Sequence, residues 1–404
     1  MAELMLPADD GGTRAYTTAP PPEWHRPSAP LRARRAYAAA HVIPRTAGNN
    51  VPGAPADLDW DATLGYRHEL WSYGLGVADA MDTAQRGMGL DWAATQELIK
   101  RSGAEAAGVV GSDAPAVAGK TVRDLLAAGA GTDQLDLAML PSGRAGVDAV
   151  LEAYREQMAV VEGSGAKVIL MASRALAQAA SGPEDYLRVY STLLAEAAEP
   201  VILHWLGDMF DPALAGYWGG ADVDAATATF RELIEGSAEK VDGVKVSLLD
   251  AAHEKALRAA LPEGVRLYTG DDFNYPELID GDGTHHSDAL LGIFAAIYPA
   301  ASAALQDYDA GRPDKARAIL DSTRELGLHI FSAPTFYYKT GIAFLSWLNG
   351  RQSGFSMVGG LQNGRSVPHL VRTFELADRA GLLADPDFSA ARMQAWLTVN
   401  GVAS

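Results

Sequence analysis

Residues Asp242–Asp250 read DGVKVSLLD, an apolar run with a single lysine in its middle. In an extended strand, alternation places Val244 and Val246 on one face and Gly243, Lys245 and Ser247 on the other. The valines suit packing against helices, while the small Gly243 and Ser247 leave room for a long amine. Lysine is almost never fully buried without a partner or a task. A buried amine loses hydration, which disfavours its charged form and makes a neutral nucleophile accessible. Such an amine condenses with a carbonyl to give a Schiff base. The competing reading is a lysine ion-paired to an interior carboxylate.

Working outward, similar short runs recur along the chain. The candidate strands are RAYAAAHVIP (35–44), GVADAMD (76–82), LDLAMLP (135–141), AKVILMAS (166–173), PVILHWL (200–206), DGVKVSLL (242–249), VRLYTGDD (265–272) and DGTHHSD (282–288). Helical patterns lie between them. In residues 146–165, Val147, Val150, Leu151, Tyr154, Met158 and Val161 repeat near the helical period before Gly163 closes the run. Strands alternating with helices predict βαβ units and a parallel sheet. Eight units predict an α/β protein of the (β/α)8 TIM barrel class. A doubly wound sheet is the alternative, but no strand is followed by a GxGxxG turn, and GVVGSDAPAVAG (108–119) follows a helix. The proline-rich stretch TTAPPPEWHRPSAPLR makes residues 1–33 an extended arm. Residues 34–298 form the barrel, and 299–404 a C-terminal helical appendix packed on it.

Composition narrows the function. The chain has 404 residues, 48% of them hydrophobic, and no cysteine, so disulfides, zinc–thiolate sites and cysteine nucleophiles are excluded. A formal charge of −18 without a basic stripe argues against nucleic acid. The start, MAELMLPADDGGTRAY, has no secretory pattern, and no apolar run reaches the roughly 18 residues of a membrane span. The expectation is a cytoplasmic protein with a small-molecule partner.

Catalytic groups of such barrels gather at the carboxyl ends of the strands. That rule separates Lys167, at the amino end of its strand, from Lys245. Arg174 lies just past the fourth strand, where it is placed to hold an anion, as is Arg86. His204 sits near the end of the fifth strand, where a histidine suits proton transfer, and Trp205 beside it is a candidate pocket wall. Asp271 ends the seventh strand and His285 belongs to the eighth. His204, Asp271 and His285 together give a divalent-metal alternative.

These pieces, GVKVS followed by RLYTGDDFNYPELIDGDG, resemble the Schiff-base lysine strand and the GDD segment of the dihydrodipicolinate synthase / N-acetylneuraminate lyase superfamily. DTAQRGMGLDW (82–92) falls where that family carries its carboxylate-binding loop, PVILHWLGD matches the fifth strand, and APTFYYKTGIAFLSWLNG is similar to the C-terminal helical segment. The resemblance covers residues 35 to 385 and is narrowest to a dihydrodipicolinate synthase-like branch. It implies class I aldolase or lyase chemistry on Lys245 with no cofactor, and assembly as a homodimer or homotetramer. It also implies that Thr83 belongs to the catalytic loop and that His204 replaces a proton-relaying tyrosine. The loop departs from the family pattern: Thr83 keeps the first hydroxyl, Ala84 replaces the second, and Asp82 and Arg86 add charges.

The leading expectation is therefore a Schiff-base lyase or aldolase for a small oxo acid or keto sugar. Lys245, His204 and Thr83 are its catalytic residues, and Arg174, Arg86, Asp82, Ser247, Asp271 and Trp205 line its substrate. A metal-dependent sugar isomerase or epimerase, and a non-catalytic small-molecule binder, are the alternatives on the same scaffold.

Overall fold

Strands covered on both faces carry apolar or small residues at nearly every position, and this chain builds a closed ring from such runs. The computed structural model describes residues 1–8, 11–20, 23–220 and 222–402. Strands β1 (Glu3–Pro7) and β2 (Thr13–Thr17) pair antiparallel. They are followed by β3 (Ala36–Ala39), β4 (Gly76–Asp79), β5 (Leu126–Ala130), β6 (Lys167–Leu170), β7 (Val201–Leu206), β8 (Val241–Ser247), β9 (Arg266–Thr269) and β10 (Asp288–Leu291). β3 to β10 are hydrogen-bonded in sequence order, all parallel, and β10 closes on β3. Helices connect them, so the fold is the (β/α)8 barrel expected from the sequence, with C-terminal helices Pro313–Ile330, Tyr338–Leu348, Val367–Arg379 and Pro386–Val399.

Two strands differ from expectation. The third is LAAGA (β5), not LDLAMLP. Its alanines and glycine lack the β-branched signal of a strand because the barrel interior is crowded there. A side chain at Gly129 would meet Met171 Sδ at 2.5 Å and the Ala80 carbonyl at 2.6 Å. Residues 135–141 instead form a loop with a short turn at Leu137–Met139, and Met139 is exposed. The eighth strand is DALL (β10). DGTHHSD is the loop leading into it, held by the Asp282 and His285 backbones, which puts His285 and His286 at the amino-terminal rim.

Residues 1–33 are not one extended arm. The first strands form a hairpin whose Leu4 and Leu6 are buried, and it lies on the chain's own C-terminal helices. Tyr16 Oη donates to Asp378 at 2.8 Å, and Trp24 Nε1 donates to the Gly381 carbonyl at 2.8 Å. Of the triple proline 20–22, residues 21 and 22 lie outside the described residues. Nor does a boundary fall at 298/299, because one helix, Phe294–Asp309, runs through it as the last helix of the βα series. Among the described residues no helix is long and apolar enough to cross a membrane.

The amino-terminal end of the barrel is plugged by charge. Lys167 donates to Asp242 at 2.7 Å, and Tyr268 Oη donates to the same carboxylate at 2.7 Å. Lys167 is therefore a buried, paired residue. Above this plug the interior is filled by Tyr37, Ile169, Ile202, Tyr268 and their neighbours.

Candidate active site

Alternation along β8 works out as the sequence requires. Val244 and Val246 join the outer core, while Lys245 turns inward beside His204 on β7 and above Tyr268 of β9. Gly243 serves the layer below: a side chain there would strike the Tyr268 ring at 2.6 Å. Room for the lysine stem comes from Gly270, just past β9. A Cβ at Gly270 would meet Ser247 Oγ at 2.1 Å, the Val246 carbonyl at 2.7 Å and Lys245 Cε at 2.9 Å. Gly270→Ala is expected to destabilise the protein by about 1–3 kcal/mol through overpacking and to displace the amine. Thermal unfolding and the yield of a reductively trapped Lys245 adduct measure the two effects; an unchanged adduct yield would mean that the lysine stem does not depend on this gap.

Lys245 is 5% exposed, and among the described residues its ammonium has no ion-pair partner within 4.0 Å. Burial pushes its pKa below the ordinary 10.5, and the charges of Asp82 and Asp272 only partly oppose this. His204 is fully buried, with Nε2 3.2 Å from Ser247 Oγ, and among the described residues Nδ1 has no partner. Burial, reinforced by the Lys245 charge, pushes the imidazole well below its usual range. The low pKa favours the neutral ring, which hydrogen-bonds through Nε2.

The second cluster comes from two distant parts of the chain. A short turn, Asp82–Ala84, follows β4, and the helix Tyr338–Leu348 delivers Tyr338 and Lys339 from its first turn into the barrel mouth. Tyr338 stacks on Phe331 with ring centroids 4.2 Å apart. Its hydroxyl donates to Asp82 Oδ2 at 2.7 Å and lies 2.6 Å from Thr83 Oγ1. A phenol has one proton, so with that proton on Asp82 the Thr83 hydroxyl is the donor to Tyr338. Lys339 is 2% exposed, with Nζ 3.8 Å from Asp82 Oδ2 and 3.0 Å from the Phe336 carbonyl.

Two carboxyls here are pushed apart. Burial raises Asp82, but Lys339, Lys245 and the Tyr338 hydrogen bond outweigh it and hold the group below its usual range. Burial pushes Asp272 well above the carboxylate range, opposed by a 2.7 Å hydrogen bond from the Ile293 amide and by Lys245. Of the two carboxyls, Asp272 is the one that holds a proton more readily.

Several expected site residues are elsewhere or already occupied. Trp205 faces outward, edge-on to Trp218, Phe230 and His253, because it occupies the outer register of β7. Asp271 spends both oxygens on its own loop, accepting from the Phe273 and Asn274 amides and from Asn274 Nδ2, each at 2.9 Å. Arg86 lines the mouth cavity but is buried against Asp133, the Gly129 carbonyl (2.8 Å) and Gln157 (2.5 Å), so it braces the loop. His204, Asp271 and His285 do not converge, since His285 lies at the opposite end of the barrel; among the described residues no group of three such side chains could hold a metal ion. Ser247 contacts His204, and Arg174, paired with Asp211, reaches the mouth.

A cavity of about 170 Å³ opens at this mouth, walled by Asp82, Thr132, Ser173, Arg174 and Lys339 on its polar side and by Leu135, Leu206, Phe210 and Leu214 on its apolar side. Lys245 and His204 are not in its wall. Asp82 stands at the cavity wall and also acts on the charge of Lys245. Tyr338, Lys339 and Gly270 had no assignment from the sequence. Lys339 did carry a signal: it is a lysine at the head of the apolar run TGIAFLSWL.

Solved structures similar to this one in fold include dihydrodipicolinate synthases. The Aquifex aeolicus enzyme is 12% identical, with a TM-score of 0.59, over 87% of this chain and 99% of its own. The Acinetobacter baumannii enzyme, solved with pyruvate, is 16% identical, TM-score 0.59, over 87% and 100%. The 4-hydroxy-tetrahydrodipicolinate synthase of Methylacidiphilum fumariolicum SolV is 14% identical, TM-score 0.58, over 90% and 98%. No curated protein matches the chain in sequence. A family model described as "Protein of unknown function (DUF993)" matches residues 4–402. The chain belongs to that family, and its barrel has the dihydrodipicolinate synthase fold.

Proposed function

We propose that the protein is a class I aldolase or lyase that forms a Schiff base between Lys245 and a small oxo acid or keto-sugar substrate. The observation that carries this reading is a desolvated, unpaired amine at the carboxyl end of an interior-facing strand. The neutral nitrogen adds to the carbonyl carbon, and one of its protons passes to the oxygen to give a carbinolamine. Asp272, the carboxyl that burial pushes toward its protonated form, supplies the second proton; the oxygen leaves as water and a carbon–nitrogen double bond forms. The iminium then accepts the electron pair of an adjacent carbon–carbon or carbon–oxygen bond.

A proton released in that step has a route out: Thr83 accepts it, Thr83 passes its own proton to Tyr338, and Tyr338 passes one to the ionised Asp82. Opposed pKa shifts in neighbouring groups are the usual mark of an acid and a base. His204, neutral and hydrogen-bonded to Ser247, bounds the amine without adding a second positive charge.

Borohydride reduction in the presence of a panel of oxo acids and keto sugars tests this. The expected result is a mass increment on the peptide containing Lys245. If no panel member modifies that peptide, the covalent reading is lost.

A further inference from the structure

Lys339, the other lysine buried at the barrel mouth, has no role in the steps above. Its ammonium carries three donors; one is met by the Phe336 carbonyl at 3.0 Å, and Asp82 is 3.8 Å away. It lines the mouth cavity together with Arg174. Arg174 gives its Nε to Asp211, and its Nη1 lies 3.0 Å from where a Cβ of Gly87 would be, so the guanidinium passes directly over that glycine. The Arg174 charge disfavours the Lys339 ammonium, as expected for two cations facing one small space. Asp82 offsets one positive charge, yet it also serves Lys245.

We propose that Lys339 and Arg174 hold the carboxylate of the substrate, so the cavity takes a small monoanionic acid with a short apolar chain. Its carbonyl end reaches past Asp82 to Lys245; that part alone rests on the Schiff-base reading. A single negative charge fits because the three cations lining the cavity, Arg86, Arg174 and Lys339, are matched by Asp82, Asp133 and Asp211, which would repel a phosphate dianion. Leu135, Leu206, Phe210 and Leu214 cover the chain. At about 170 Å³ the space is well below the roughly 300–1,000 Å³ of drug-sized ligand sites.

Calorimetric titration of the full-length protein with butyrate, butyramide and inorganic phosphate tests the anion site without any carbonyl. Butyrate is expected to bind at least about tenfold more tightly than butyramide, about 1.4 kcal/mol, and more tightly than phosphate. Lys339→Met should erase the preference for butyrate over butyramide, and Lys339→Arg should retain it. Arg174→Gln, at a partly exposed rim position, should reduce the preference and decides the matter should Lys339→Met fail to fold by circular dichroism. Equal binding of butyrate and butyramide by the wild type, tighter binding of phosphate, or a preference that survives Lys339→Met overturns the proposal. Borohydride trapping with 4-oxopentanoate, whose carbonyl lies at the far end of a short chain from its carboxylate, reports separately: selective butyrate binding with no Lys245 adduct leaves the anion site standing and removes the covalent reading.

Discussion

Lys245→Met removes the trapped adduct and lowers turnover of whichever oxo substrate the wild type accepts by at least about 10³-fold, the order expected when a covalent nucleophile is lost. The same variant should be as stable as the wild type, or more stable by about 1 kcal/mol, because an apolar chain of similar length replaces a buried, unpaired amine. Loss of function without loss of stability is the signature to look for; a large drop in the urea midpoint would instead mark Lys245 as a structural residue. The pH dependence has a definite sign. The folded-state pKa of Lys245 is lowered from 10.5, so the cost of burying its charge is fully present below that lowered pKa. It shrinks as pH rises from there toward 10.5 and then disappears. Wild-type stability gains from this group over that window, whereas the methionine variant shows no such gain. Over the same window the trapping rate rises as the amine loses its proton, with a midpoint below that of free lysine.

The largest effect on stability is expected at Asp79, the last residue of β4. Asp79 and Arg67 are both fully buried and joined at 2.7 and 3.2 Å. Arg67 also donates to the His41 carbonyl at 2.7 Å, and Asp79 accepts from Ser102 Oγ at 2.6 Å and the Ala80 amide at 2.9 Å. Asp79→Ala leaves a buried guanidinium without its counter-charge, which costs about 3–5 kcal/mol. The loss should appear as a lowered urea midpoint at unchanged slope. Ala80, whose φ is +52°, follows directly and leads into Asp82 and Thr83, so adduct yield should fall as well. The double variant Arg67→Met, Asp79→Leu should recover much of the stability, since both charges are then gone. A single-variant loss below about 1 kcal/mol would show that the pair does not hold this end of the barrel.

The sequence located the inward-facing lysine because strand alternation and the rarity of buried lysine are local facts. It misplaced Trp205 for an equally local reason: an aromatic beside His204 must face the other way, and the period of two that directed Lys245 inward directs Trp205 outward. Strands β5 and β10 were misread because their own composition is a poor guide to them. β5 is alanine and glycine where neighbouring strands press bulky side chains inward, whereas LDLAMLP shows alternation that belongs to a loop over the mouth. Lys339 obeys the rule that exposes Lys245, a lone lysine against an apolar run, yet it sits on a helix outside the barrel strands, where that rule does not point to a mouth.

The amino-acid sequence by itself determined the βα alternation, the closed parallel ring and a lysine aimed into it, because periodicity and side-chain size act within a few residues. Only the tertiary structure decided which groups share the mouth. Tyr338 meets Asp82 across 256 positions, Asp271 is spent on its own loop, and Asp272 acts on the charge of Lys245. Charges tune one another through space, and no spacing along the chain encodes which distant helix end will enter a barrel mouth.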